Sequence, residues 1–535
     1  PERYCPEYGK SCGTILSDID LIGREVIMRL LNGDEIDETI DKSRTYHFKD
    51  RSVLPALYAL REHLLDLNTR VDESTEMENL LDAMDSHFVM PGPSGVVTRG
   101  RDDVIPTGRN FYTMDPDTVP TKAAWVIGQR LADAVIDRFI NDEGHYPESF
   151  GMYWMCNDLM WGGGEGMAQL MYFIGVRPKW LPNGKVTGFE IIPLDELKRP
   201  RIDISVKISG ILRDNFKSRY ELLDEAVLAV AALEESEEMN YIRKHTLQNM
   251  SDGKMSFEEA SGRIFGARPG TYLNGITLQV YASAWKERSE MVDVYTFFNG
   301  YSYSRAGYGK EAYKVLQNSL KTVEITYNKV MTDEHDLLGC CCYYGVQGGM
   351  TAAARELSGR DVRTYYGDSR EANHIEVRTM AEELSRVVQS KLLNPKWIEG
   401  QKKHGYKGAG DISKRIGRVY GWEATTDEVD DWIFDEITRT YIENKENFEF
   451  FKENNPWAME EISRRLMEAY KRGLWKPADG LLDTLQDNYV ELEGVLEESI
   501  GEGVSEFQGG SIDIKDIGEL EAMKKGLQHM HKTLQ

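Results

Sequence analysis

Residues 121 to 230 alternate between short apolar runs and longer amphipathic ones, and no other feature limits the available folds so tightly. SFGMYWMCN reads as a strand. A glycine-rich turn, WGGGEG, and a helical pattern, MAQLMYFIGV, follow it. GFEIIP and IDISVKIS read as further strands and RYELLDEAVLAVAAL as a further helix. Strands that alternate with helices pair in parallel, because each crossover returns the chain to the same end of the sheet. The expectation is an α/β fold: a parallel-sheet unit followed by a large, mainly helical region.

The flanks are mostly helical. LSDIDLIGREVIMRLLNG and ENLLDAMDSHF space their apolar residues at three and four, so residues 1–90 read as a helical N-terminal segment. PGPSGVVTRGRDDVIPTGRNFYTMDPDTVPT is dense in Pro, Gly, Thr and Asp, and reads as an ordered irregular loop opening an α/β unit over 91–230. KAAWVIGQRLADAVIDRFI is a helix introduced by Pro120 and Thr121. Over 231–500, AEELSRVVQSKLL, DDWIFDEITRTYI, AMEEISRRLMEAYKRGLW and ELEGVLEESIGEG carry helical spacing. SEFQGGSIDI reads as a linker within a C-terminal helical tail, 501–535.

At 535 residues the chain is long enough for roughly three or four units. A formal charge of −25 argues against a nucleic-acid binder, whose main affinity term is phosphate neutralisation. The longest apolar run, AVLAVAAL, is too short to span a bilayer, and no signal peptide is visible. Six cysteines are too sparse for a disulfide scaffold, so a reducing compartment, the cytoplasm, is expected, and the two cysteines of CPEYGKSC read as free thiols. Residue 1 is proline rather than methionine, which suggests a piece of something longer.

Several stretches carry groups suited to chemistry. No G-x-x-x-x-G-K-[ST] loop occurs, so any ATP used is expected to be hydrolysed by a partner. Gly162, Gly163, Gly164 and Gly166 sit where a strand passes into a helix, a place that offers backbone N–H groups to an anion and serves equally as a plain turn. Glu165 in this turn would repel phosphate but suit a metal ion or an N–H donor. In IPTGRNFY, Arg109 offers a planar fork to carboxylates beside Asn110 and two aromatics; a solvated or structural arginine is the plainer reading. NPKWIEGQKKHGYKGAGD holds Glu399 and His404; imidazole binds metals and shuttles protons, though a single histidine is more often structural. EHDLLGCCC sets Cys340, Cys341 and Cys342 behind Glu334, His335 and Asp336. All are metal-ligand types. In extended chain, neighbouring side chains point to opposite sides, so three consecutive cysteines are not expected to grip one ion easily, and buried small hydrophobes are the plainer reading.

Together these stretches resemble the large, substrate-binding subunit of the ATP-dependent tetrapyrrole chelatases, cobaltochelatase and magnesium chelatase. The matching segments are PGPSGVVTRGRDDVIPTGRNFYTMDPDTVPTKAAW, GGGEGMAQLMYFIGVRPKW, GFEIIPLDELKRPRIDISVKISGILRDNF, RIFGARPGTY, GGMTAAARELSG, VRTMAEELSRVVQSKLLNPKWIEGQKKHGYKGAGDI, GWEATTDEVDDWIFDEI and NPWAMEEISRRLMEAYKRGLW. They run in order over most of residues 75–480. The resemblance implies insertion of a divalent metal into a tetrapyrrole ring, driven by AAA+ ATPase motor subunits that hydrolyse ATP. IPTGRNFYTMDP, RIFGARPGTY and YYGVQGGM look like the cobaltochelatase form, which favours Co2+ in cobalamin synthesis, with Ni2+ also considered. The alternatives are a magnesium chelatase subunit placing Mg2+ in a porphyrin, and a non-catalytic protein that binds or delivers a tetrapyrrole. The resemblance points to His404, Glu399 and Glu165 for proton and metal handling. Ring contacts fall to Arg109, Asn110, Tyr343, Tyr344 and Gln347, and metal contacts to His404, Cys341 and Cys342.

Two departures stand out. Family members usually carry an upstream histidine-glycine-threonine motif running into Glu-Trp-Leu-Pro-Gly-Lys, and nothing like it occurs here. The chain is therefore expected to be a C-terminal half that needs its N-terminal half as a partner. In cobaltochelatases the loop at 339–344 reads roughly Asp-Ser-Asp-Asp-Tyr-Tyr. Here Gly339, Cys340, Cys341 and Cys342 stand in the first four places, while Tyr343, Tyr344, Gln347, Gly348 and Gly349 keep the pattern. Thiols in place of acids would suit cobalt or nickel better than magnesium.

Overall fold

The computed structural model describes residues 4–36, 52, 54–93, 95, 97, 101–112, 114–253, 255–272, 274–500 and 521–534. The SEFQGGSIDI stretch lies outside the described residues. The chain divides into two compact units, Pro1–Met114 and Asp115–Gln535.

The smaller unit opens with a hairpin of β1 (Tyr4–Cys5) and β2 (Lys10–Ser11), followed by α1 (Cys12–Leu31), α2 (Leu54–Asp72) and α3 (Glu76–Met84). The Ser11 hydroxyl starts α1 by accepting the Thr14 N–H at 3.2 Å. Val26 and Leu30, four residues apart on one face, pack with Ile36 against Leu54, Leu57, Leu60 and Leu64. Beyond α3, β3 (Pro91–Pro93) pairs in parallel with β4 (Asn110–Tyr112). The Asn79 side chain donates to the Gly108 carbonyl at 2.7 Å.

The larger unit is built on one eight-stranded sheet. α4 (Lys122–Glu143) begins at Thr121, whose hydroxyl accepts the Ala124 N–H at 3.1 Å, and stops at Gly144 in the left-handed conformation. β5 (Ser149–Trp154), α5 (Glu165–Phe173), β6 (Val176–Trp180), β7 (Val186–Ile191), β8 (Asp203–Ile208) and α6 (Lys217–Ala231) follow. Then come β9 (Ile264–Gly266), β10 (Tyr301–Ser304), β11 (Gly307–Glu311), β12 (Ile325–Val330), α7 (Gly349–Ser358), β13 (Arg363–Asp368) and β14 (Glu376–Thr379). The strand order is β11-β10-β9-β8-β5-β12-β13-β14. The strands from β9 to β13 in that order run parallel, and β10, β11 and β14 close the edges antiparallel. Every residue of β5, β8 and β12 is buried, as expected of parallel strands covered on both faces. β7, read correctly as a strand, pairs with β6 in a separate hairpin.

The α/β reading holds, but the boundaries differ. The sheet takes β9 to β14 from the region read as mainly helical after residue 230. Those strands are short and rich in Tyr, Ser, Asn, Lys and Asp, so hydropathy hides them. Helices do dominate after β14, led by α8 (Gly405–Thr426) and α9 (Pro456–Lys471). Among the described residues no helix is long and apolar enough to cross a membrane.

This topology creates one special place. From β5 the chain moves through β8 to β9 on one side, and from β12 to β13 on the other. The order reverses between β5 and β12, and in open α/β sheets such a point leaves a crevice outside the carboxyl ends of the strands.

Candidate functional site

At that crevice the carboxyl ends of β5 and β12 bring three charged side chains together. Asp158 accepts the Gly166 N–H at 2.6 Å, the Met167 N–H at 3.0 Å and the Trp154 indole N–H at 3.0 Å. Gly166 and Met167 lie in the first turn of α5, so the anion that this helix N-terminus attracts is a carboxylate of the chain itself. Lys329, on β12, lies 2.7 Å from Asp158 and 2.8 Å from Glu165. The Ser369 hydroxyl, just past β13, donates to Glu165 at 2.7 Å. All three charged groups are buried. The glycine turn is required by this geometry: Gly164 has φ 88°, and a Cβ there would sit 2.4 Å from Val119 Cγ1. The hollow lined by Tyr153, Trp154, Asp158, Gly166, Lys329 and Met331 offers about 10 Å³, room for a single water at most.

A second tier of ions flanks the crevice. Burial would raise the Asp368 carboxyl, but Arg370 and Arg378 hold it at about 2. Arg378 also reaches Glu383 at 3.1 Å, and Arg386 reaches it at 2.6 Å. Asp336 is buried and held by Arg415 at 2.9 Å and by Lys391. The His335 ring stacks on Trp161 with centroids 4.5 Å apart.

The loop after β12 carries the cysteines. Cys340 caps a helical turn, Cys341–Tyr343, accepting the Cys342 N–H on its sulfur at 3.4 Å. The turn runs into a π-helical segment, Tyr344–Gly348, and then α7. Because the chain is coiled rather than extended, the three sulfurs lie within 4.8 Å of one another. This corrects the expectation that consecutive cysteines must diverge. Cys340 is lowered in pKa by hydrogen bonds from Cys341 and Cys342, and Cys342 is raised by the same contacts. Lys207, buried on β8, stacks its ammonium over Tyr153 at 5.2 Å; burial pushes it down to about 8, against the pull of Cys342. Close packing fixes the loop. A Cβ on Gly345 would meet Thr277 Oγ1 at 2.2 Å, and one on Gly348 would meet Thr425 Oγ1 at 2.2 Å.

The residues singled out from the sequence fall in different places. Glu165 is buried and pairs with Lys329 of β12. Tyr343, Tyr344 and Gln347, which follow the cysteines in the chain, are buried. Gln347 donates to the Tyr365 carbonyl of β13 at 3.3 Å, tying the loop to the sheet. In the smaller unit, Arg109 donates to the carbonyls of Pro106 at 2.9 Å and Val104 at 3.2 Å, and Asn110 to that of Val89 at 3.2 Å. Both side chains brace their own loop. His404 is exposed at the start of α8, and Glu399 is exposed and paired with Lys402 at 2.7 Å. Sequence reading missed Asp158, Lys329, Ser369, Lys207 and the part of Cys340. No local signal marked Lys329, because its run, ITYNKV, reads as polar.

A model of the family CobN/Magnesium Chelatase matches residues 4–482. An uncharacterized protein of Methanocaldococcus jannaschii is 52% identical over 469 residues, 87% of this chain and 38% of that protein. The aerobic cobaltochelatase subunit CobN of Pseudomonas aeruginosa is 36% identical over 426 residues, 78% of this chain and 34% of that protein. Among solved structures, the catalytic subunit of cobaltochelatase from Mycobacterium tuberculosis superposes with a TM-score of 0.80 at 33% identity, covering 90% of this chain and 41% of that one. The chain thus spans 34% to 41% of the length of these relatives. Its fold, the order of its segments and the match over residues 4–482 agree: the chain belongs to the CobN/magnesium chelatase family.

Proposed function

We propose that this chain is the ring-handling portion of a metal chelatase that inserts a divalent cation, Co2+ by preference, into a tetrapyrrole in cobalamin synthesis. The observation that carries the reading is its likeness, at a TM-score of 0.80 over 90% of the chain, to the catalytic subunit of a cobaltochelatase. In this proposal an N-terminal segment and AAA+ ATPase motor subunits complete the machine, and ATP is hydrolysed by the motor.

Insertion has two chemical halves. The ring gives up two N–H protons, and the ion exchanges water for ring nitrogen. Glu165, at the switch crevice, is the proton acceptor of the proposal. It is buried and tied to Lys329 and Ser369, so it acts only when the crevice opens. His404 and Glu399, on the surface, are proposed to pass protons to solvent. Arg109 and Asn110 are proposed to meet the ring's carboxylate arms after release from their loop carbonyls. Tyr343, Tyr344 and Gln347 act from below, by holding the cysteine loop against the sheet.

The test is reconstitution of the chain with its N-terminal partner segment, the motor, ATP and a metal-free corrin or porphyrin, followed by the ring's absorption. The expected result is ATP-dependent insertion of Co2+, slowed by about 100-fold or more in Glu165→Gln. Insertion of Mg2+ alone would move the assignment to the magnesium branch. Ring binding without insertion would make the protein a carrier, and absence of ring binding would end the proposal.

A further inference from the structure

The thiol cluster asks for a role of its own. Metal–thiolate bonds are about 2.3 Å, so three sulfurs sharing one ion stand about 4 Å apart. The sulfurs of Cys340, Cys341 and Cys342 already lie within 4.8 Å of one another, so closing on an ion needs shifts of less than about 1 Å. All three thiols are free and half-buried, neither sealed in the core nor fully in water. Among the described residues no fourth His, Cys, Asp or Glu joins the group. Three protein ligands with an open position is the arrangement of sites that exchange their ligand, whereas structural sites close with four.

Positive charge lies close to the sulfurs. Arg418 acts on Cys340 and Cys341, and Lys207 on Cys342, each as an opposite charge. A divalent ion on three thiolates leaves one negative charge, which those cations offset. Lys207 has the Tyr153 ring as its packing partner, and Tyr153 adjoins Trp154, whose indole holds Asp158. The thiols therefore stand over the same end of the sheet as the Asp158–Lys329–Glu165 group. Soft sulfur donors choose cobalt, nickel, zinc or copper over magnesium.

We propose that Cys340, Cys341 and Cys342 form a three-thiolate site that takes up a borderline or soft cation of the cobalt and nickel class and holds it in transit beside the crevice. Binding replaces thiol protons, which pass to solvent, and no electron is transferred. The transit role rests on the chelatase reading; the ion binding does not.

The test titrates the full, reduced chain with Co2+ alone under anaerobic conditions. One equivalent is expected to bind, with thiolate-to-cobalt charge-transfer absorption that a large excess of Mg2+ leaves in place. The variant Cys340→Ser/Cys341→Ser/Cys342→Ser should lose the band, and Cys5→Ser/Cys12→Ser/Cys156→Ser should keep it. Cys341→Ser alone should weaken binding at least 10-fold while its circular dichroism matches that of the parent. A parent without the band, a band that survives the 340–342 variant, or one lost in the 5/12/156 variant would each overturn the proposal. If Co2+ binds as described but reconstitution gives no insertion, the site stands and the chelatase reading falls. If insertion proceeds normally in the 340–342 variant, only the transit role falls.

Discussion

The amino and carboxyl ends of the parallel sheet both bury charge, yet they are built differently. At the amino end, Asp203 of β8 meets His245 at 2.8 Å and Arg263 at 2.8 Å, and Glu148, just before β5, meets Lys244 at 2.7 Å and His245 at 3.2 Å. Lys244 and His245 come from one helix, Tyr241–Gly253, so this end is a clamp between the sheet and a neighbouring helix. At the carboxyl end, Lys329 stands between Asp158 and Glu165, a helix N-terminus points at the carboxylates, and a thiol-bearing loop lies nearby. The difference teaches where function can be placed. Helix N-termini and long loops gather at the carboxyl end of a parallel sheet. Buried charge at the amino end has only structure to support.

Removing Lys329 should be the most damaging change. Lys329→Met leaves two buried carboxylates without their cation, and breaking a buried pair from one side costs about 3–5 kcal/mol. Urea unfolding should show this loss, and any reconstituted insertion should vanish with it. Arg263→Met at the amino end should cost a similar amount, about 3 kcal/mol, because Asp203 loses its guanidinium. The contrast lies in the chemistry. Whatever Arg263→Met protein remains folded should bind Co2+ as the parent does. Equal loss of binding in both variants would erase the distinction between the ends.

Gly164→Ala comes next, at about 1–3 kcal/mol, since φ 88° and the 2.4 Å approach to Val119 exclude a side chain. Thermal unfolding would register it. A neutral result would mean that the glycine turn has slack and that α5 can shift.

How much of this was legible in the sequence depends on where each residue finds its partner. β5, β8 and α4 were readable because local signals agree: apolar runs, and Thr121 as a cap. β12 was hidden because ITYNKV looks polar. Yet all six residues are buried, and Lys329 is tolerated there because Asp158 and Glu165, both far away along the chain, pair with it. No local window contains that fact. Asp158 was missed likewise, since its partners are amides of a helix that follows a turn. The cysteines failed for a different reason. The assumption of extended chain was wrong, as Cys340 behaves like a helix cap.

The smallest effect to test is the titration of the amino-end clamp. Burial opposes the charged form of His245, but Asp203 and Glu148 together raise its pKa above the ordinary 6.5. Its contribution to stability is therefore complete below 6.5 and is lost as pH rises through the raised value. Glu148 works in the opposite sense: held at about 2 by His245 and Lys244, it contributes above its ordinary 4.5 and loses that contribution as pH falls toward 2. The clamp should be strongest between about 4.5 and 6.5, where both partners are charged. His245→Gln should remove about 1 kcal/mol in that interval and flatten the decline in stability above it. Unfolding free energies at a series of pH values would show both features. Cobalt binding in His245→Gln should follow the pH curve of the parent, because thiols at the far end of the sheet have no stake in this histidine. A shift in that curve would mean that the two ends are coupled through β5 and β8, and the separation drawn between clamp and site would have to be abandoned.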